Sequence, residues 1–216
     1  MRNRIQRLVK RYSPLAGYPY KPYMFKNKCI FIHIPKNAGT SVLNAFGYNG
    51  HRVHAKWFDY YESNPFLFEK SHKFAVVREP LARLYSAYNY VASGGNHSNA
   101  DIALQRLVLS KGECFANFVD HVLDRDFLMF QNLFQPQCYY IFDGLYNCQV
   151  DTILRYESLQ ADWLTMSNSL GWTRQLPWVN KGTTRASARL DDRQLQKVYS
   201  LYDVDYRLLG YENVEL

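Results

Sequence analysis

The segment Cys29-Ile-Phe-Ile-His-Ile34, ended by Pro35, constrains the fold more than any other part of the chain. A short apolar run of this kind has to be covered on both faces, as a strand is inside a parallel sheet between helices. Lys36-Asn-Ala-Gly-Thr-Ser41 follows it, and Val42–Phe46 then reads as a helix closed by Gly47. A second apolar run, Lys73-Phe-Ala-Val-Val77, enters Arg78-Glu79-Pro80. Pro80 suits a first helical position, and Leu81, Leu84, Tyr85, Tyr88 and Val91 mark one face of a helix that stops before Gly94-Gly95. Residues 94–100 read as a loop, and the spacing predicts helices over Asp101–Leu109, Glu113–Leu123 and Asp126–Leu133. Strands are expected at Tyr139–Phe142 and Val150–Arg155, and a helix over Ser158–Leu170 ended by Gly171. Residues 172–189 read as a long loop. A last helix is expected from Asp192 to Leu209, with Asp191 and Gln194 at its start and Gly210 past its end. Strands alternating with helices predict an α/β domain with a mainly parallel central sheet, and such sheets bind ligands at the carboxyl ends of their strands.

Residues 29–216 are expected to form a single domain, preceded by a basic arm over residues 1–28. Within the arm, Arg2, Arg4, Arg7, Lys10 and Arg11 surround Ile5, Leu8 and Val9. A solvated arm is the simpler reading of residues 1–11, and peripheral contact of an amphipathic helix with an anionic membrane is the alternative. The net charge of +7 favours anionic ligands without choosing among nucleic acid, lipid, glycan or nucleotide. The four cysteines form no CxxC pair, so reduced thiols are expected over a Cys138–Cys148 disulfide. No run of eighteen apolar residues and no signal peptide is present, which predicts a cytoplasmic chain, peripheral at the inner membrane face if the arm binds lipid. A Golgi-lumen location is the expectation only for a piece trimmed from an anchored enzyme.

Two segments carry chemistry. In Phe31-Ile-His-Ile-Pro-Lys-Asn-Ala-Gly-Thr-Ser-Val42 a strand runs into a tight turn whose backbone N–H groups can cradle a phosphate. Gly39 allows close approach, Thr40 and Ser41 add hydroxyls, and Lys36 adds a mobile charge. The pattern departs from GxxxxGK[ST], because the first Gly is missing and Lys precedes the Gly, so a magnesium-dependent ATPase loop fits poorly. In Phe74-Ala-Val-Val-Arg-Glu-Pro-Leu-Ala-Arg-Leu-Tyr-Ser-Ala-Tyr88, Arg78 leaves a strand end and Ser86 sits in the next helix. A guanidinium fork with a hydroxyl suits a second, non-reacting phosphate, the alternative being an Arg that caps the sheet edge or pairs with Glu79. Two phosphate sites on successive strand ends match a 3′,5′-bisphosphorylated adenosine.

On these residues the chain resembles the carbohydrate sulfotransferases that use 3′-phosphoadenosine 5′-phosphosulfate (PAPS), especially bacterial relatives of the heparan and chondroitin enzymes. Their 5′-phosphosulfate loop reads much like HIPKxxGTS and their 3′-phosphate segment like FxxxRxPxxRxxSxY. The likeness extends to Leu154–Leu159, Leu176–Lys181 and Tyr199–Tyr211, and so covers roughly residues 29–211. It implies a P-loop-like three-layer fold, a mainly parallel sheet flanked by helices, with PAPS as co-substrate and no metal. It implies that Lys36 contacts the oxygen bridging sulfate and 5′-phosphate, that Asn37, Ala38, Gly39, Thr40 and Ser41 hold the 5′-phosphate, and that Arg78 and Ser86 hold the 3′-phosphate. Lys181, in Asn180–Thr184, is a further implied cofactor contact. The implied partner is a carbohydrate acceptor (polysaccharide, oligosaccharide or glycolipid), not nucleic acid.

Transfer is expected to be an in-line displacement at sulfur, its rate set by positioning and charge stabilisation. Among the six His, those of Gly50-His-Arg-Val-His-Ala-Lys56 are the candidates for the base, His51 first and His54 second, because related sequences carry a His near the first position. His33 is expected to be a structural or supporting group. Arg52, Lys56, Trp57, Arg83 and Tyr90 are candidates for a cleft that takes an acidic sugar. A nucleotide-dependent phosphotransferase and a non-catalytic basic binding protein are the alternatives; the first requires magnesium-dependent ATP binding, the second leaves the paired phosphate segments as coincidence.

Overall fold

The computed structural model describes residues 17–112, 114–177 and 190–211. They fall into two compact units, one within Met1–Val77 and Tyr139–Val179, the other within Arg78–Cys138 and Asn180–Leu216.

The first unit holds the sheet. Its three strands, β1 (Cys29–Ile32), β2 (His72–Val77) and β3 (Thr152–Arg155), lie in that order and run parallel. Cys29 pairs with His72 and Ile32 with Ala75, while Phe74 pairs with Thr152 and Val77 with Arg155. Every side chain of β1 is buried, as its unbroken apolar sequence requires, and Phe31 stacks on Phe74 of the neighbouring strand at 5.1 Å. Helices α1 (Pro22–Asn27), α2 (Gly39–Ala45), α3 (Trp57–Ser63) and α4 (Pro65–Lys70) come before β2, and α1 packs on β1. Tyr20, Tyr23 and Met24, in the stretch read from sequence as part of the arm, are buried. The mainly parallel α/β architecture expected from the sequence is the one observed.

In the second unit α5 (Pro80–Ala92), α6 (Asn99–Val108), α7 (Phe115–His121) and α8 (Arg125–Phe130) surround an aromatic core of Tyr88, Phe115, Phe118, Phe127 and Phe134. Pro80 takes the first position of α5 as expected, and the Glu79 carboxylate caps that helix through the N–H groups of Leu81 and Ala82.

Three expectations are corrected. Tyr139–Phe142 is not a strand; Cys138–Ile141 is a one-turn helix, α9, and only a single antiparallel bridge joins Phe142 to Cys148. The Asp205 carboxylate accepts from the N–H groups of Gln137 and Cys138, both at 2.8 Å, which satisfies donors that open a helix. The last helix is two, α11 (Asp192–Leu201) and α12 (Asp203–Leu209), numbered after α10 (Leu159–Ser169) of the first unit. The break falls at Tyr202, buried, with its hydroxyl donating to the Phe134 carbonyl at 2.6 Å. Third, α2 begins at Gly39, three residues before the position read from sequence, because Ala38 takes a left-handed conformation and its carbonyl receives the Val42 N–H. The Asp191/Gln194 capping box and the left-handed Gly210 stand as expected. All four cysteines are free thiols. Among the described residues, no helix is long and apolar enough to cross a membrane.

Candidate active site

The sheet pairing stops at Ile32, so His33 and Ile34 run on toward Pro35 without a strand partner. The loop then bends sharply. Lys36 has φ 69° and Ala38 φ 54°, both left-handed, a conformation that costs a residue with a Cβ about 1–2 kcal/mol. Successive residues alternating between the two hands of backbone turn their N–H groups toward one concavity, the arrangement that binds anions. Asn37 is fully buried, its Nδ2 donating to the carbonyl of Val76 at 2.8 Å, so its side chain ties the loop to β2. Ser41 is buried, and Thr40 and Lys36 are half-buried.

Gly39 answers to a different neighbour from the one expected. A Cβ there would lie 1.7 Å from Nε2 of His33, so the absent side chain makes room for the imidazole under the loop. The same ring stacks on Phe31 at 5.3 Å. Burial, with His54 and Arg52 nearby, holds the His33 pKa well below its ordinary value and keeps the ring neutral. The structural role expected for His33 is thereby given a definite form.

His54 also meets His33. Its Nδ1 lies 3.0 Å from the His33 carbonyl, and the two rings are 4.3 Å apart. A carbonyl only accepts, so Nδ1 carries the proton and Nε2 keeps its lone pair when the ring is neutral. His51 is exposed; its carbonyl receives the Tyr48 hydroxyl at 3.3 Å. A small hollow of about 10 Å³ is lined by His33, His51 and Arg52 together with Tyr48 and Tyr60, so His51 shares it with His33, whereas His54 meets His33 through the ring contact and the carbonyl.

Arg78, the residue after β2, is buried and belongs to the second unit, as does Ser86, half-buried on α5. The Arg78 N–H donates to Oε1 of Gln137 at 2.9 Å, and its carbonyl accepts from Nε2 of the same side chain at 2.8 Å. Neither Gln137 nor Asp205 belongs to a motif that the sequence displays. A signal for the second existed: Asp205 shares the stripe of Val198, Tyr202, Tyr206 and Leu209, where a fully buried carboxylate needs partners.

Of the residues suggested for an acceptor cleft, Arg83 is corrected. It is 0% exposed, with its guanidinium donating to the carbonyls of Gln135 and Leu133, and so has no surface for a ligand. Lys56 lies over the rings of Tyr139 and Tyr140 at 5.9 and 5.7 Å, and desolvation lowers its pKa, with Asp59 opposing. The Trp57 indole donates to the Phe142 carbonyl at 2.9 Å. Lys181 and the remainder of Asn180–Thr184 lie outside the described residues, as do residues 1–11.

A parallel sheet whose first strand feeds an anion-shaped turn defines the chain as an α/β protein of the P-loop-like kind. The model of the sulfotransferase family matches residues 24–212 of the 216, and the chain belongs to that family. Sulfuryl transfer is thus the class of reaction to which it is assigned. No curated protein and no solved structure matches it.

Proposed function

We propose that the protein transfers a sulfuryl group from PAPS to a hydroxyl of a carbohydrate. The concave turn at 36–41 is the observation that carries this reading, because its alternating backbone is fit for a phosphate and its Lys36 for the charge that appears beside it. Residues 37–41 hold the 5′-phosphate through backbone N–H groups and the Thr40 and Ser41 hydroxyls. Arg78 and Ser86 bind the 3′-phosphate, and Lys181 is assigned a further contact with the donor.

In the reaction the acceptor oxygen forms a bond to sulfur while the bond from sulfur to the 5′-phosphate oxygen breaks. The electron pair leaves with adenosine 3′,5′-bisphosphate, and Lys36 neutralises the charge that grows on its oxygen. The hydroxyl proton passes to an imidazole. His54 suits that role better than His51, since the bond to the His33 carbonyl fixes both its ring and its tautomer, leaving Nε2 as the acceptor. Arg52 and His51, which line the small hollow next to His33, favour an acidic sugar through their charge and hydrogen bonding.

The test is incubation with sulfur-labelled PAPS and a panel of desulfated glycans, lipid-linked sugars and simple phenols, beside calorimetry with adenosine 3′,5′-bisphosphate. Label is expected on at least one glycan. Transfer to none, together with no binding of the bisphosphate, sinks the proposal.

A further inference from the structure

We infer that Gln137 is a positioning residue for Arg78, acting as a one-residue substitute for a neighbouring strand, and that Asp205 sets which way its amide faces. The inference rests on the reading of Arg78 as a 3′-phosphate ligand.

Arg78 stands between β2 and α5, where neither sheet ladder nor helix supplies its own N–H and C=O with regular partners, and the residue is buried. Buried backbone groups must be paired. A primary amide is the side chain that offers one donor and one acceptor side by side, and Gln137 places both on Arg78, Oε1 on its N–H at 2.9 Å and Nε2 on its C=O at 2.8 Å. Two bonds to one residue restrain φ and ψ together and therefore the direction in which its side chain leaves the backbone.

The amide has to face one way for this to work. Asp205 enforces it: Oδ2 lies 3.3 Å from Nε2 and accepts the Gln137 N–H at 2.8 Å, while Oδ1 accepts the Cys138 N–H at 2.8 Å. A reversed amide would set its oxygen against the carboxylate. Gln137 and Asp205 are both 0% exposed, so neither touches a ligand itself. Their effect on binding has to pass through Arg78.

The experiment measures, by calorimetry, the affinity of the full chain for adenosine 3′,5′-bisphosphate and for adenosine 5′-monophosphate, which lacks the 3′-phosphate. Gln137→Leu removes both bonds at similar volume, and Gln137→Glu keeps the acceptor but loses the donor. Both are expected to reduce the preference for the bisphosphate by about tenfold, which corresponds to about 1.4 kcal/mol, while the monophosphate binds as before. Arg78→Ala should lose more of that preference. If Arg78→Ala keeps it, the 3′-phosphate reading fails. If Arg78→Ala loses it while the Gln137 variants keep it, only the positioning role fails. Equal loss of both nucleotides in the two Gln137 variants, through unfolding included, also overturns the positioning role.

Discussion

The two segments proposed to hold the phosphates of the donor are built by opposite means. The loop after β1 takes its shape from contiguous residues: left-handed Lys36 and Ala38, a Gly39 without side chain, and His33 only six positions earlier filling the space beneath. Arg78 is instead held by side chains far along the chain, Gln137 at a separation of 59 residues and, behind it, Asp205 a further 68 away. The first arrangement shapes a cradle from backbone, suited to the group where charge changes. The second aims one long, charged side chain, suited to a group that only anchors. A backbone cradle is insensitive to which side chains surround it, except where one must be absent. An aimed side chain depends on every group that aims it.

The sharpest way to break this contrast is Lys36→Ala. Transfer should fall about 10²–10³-fold, as removal of a transition-state charge stabiliser does, while the affinity for adenosine 3′,5′-bisphosphate changes far less. Labelled transfer and calorimetry on the same preparation check both halves, and an equal loss in the two would make Lys36 an ordinary binding residue. Next, His54→Asn keeps a donor to the His33 carbonyl but removes the base. It should cost about 10²-fold in kcat, whereas His51→Asn costs little. The reverse order would return the role to His51. Third, Gly39→Ala forces a methyl into the His33 ring and should destabilise the fold by about 1–3 kcal/mol in urea unfolding. His33→Ala in the same chain should recover part of that loss; no recovery would mean the Gly is needed on the ligand side.

A smaller effect concerns pH. Neutral His33 is favoured in the folded state, so its pKa is depressed relative to the unfolded chain's ordinary 6.5. The associated stability is complete above that value and is lost as pH falls below it, by at most about 1.4 kcal/mol per pH unit. Urea unfolding at pH 7.5 and 5.5 should show this loss in the wild type and less of it in His33→Gln. Smallest of all, Cys29 is buried and its thiol is pushed up to about 12, so alkylation at pH 8 should mark the exposed Cys114 and Cys148 and spare Cys29. Rapid labelling of Cys29 would show that β1 opens.

Much of the first segment was legible in the residues. An apolar run ended by Pro35 announced a buried strand, and Lys36-Asn-Ala-Gly-Thr-Ser41 announced a tight turn, because both signals are local. The reason for Gly39 was legible only in part: the glycine was visible, the imidazole beneath it was not. Arg83 looked like a ligand for an anion, since charge in sequence reads as surface, yet two main-chain carbonyls hold it inside. Tyr139–Phe142 looked like a strand because aromatic residues favour one, and a distant carboxylate made it a helix.

The amino-acid order by itself determined the parallel α/β arrangement and the anion-shaped turn, because periodicity, proline and glycine act over a few residues. Tertiary structure alone decided that Gln137 and Asp205 brace Arg78, that His33 lies under Gly39, and that His54 has its tautomer set while His51 does not. Those outcomes depend on hydrogen bonds and close packing between separated segments. Such contacts leave no periodic trace, since each needs a single partner in one place.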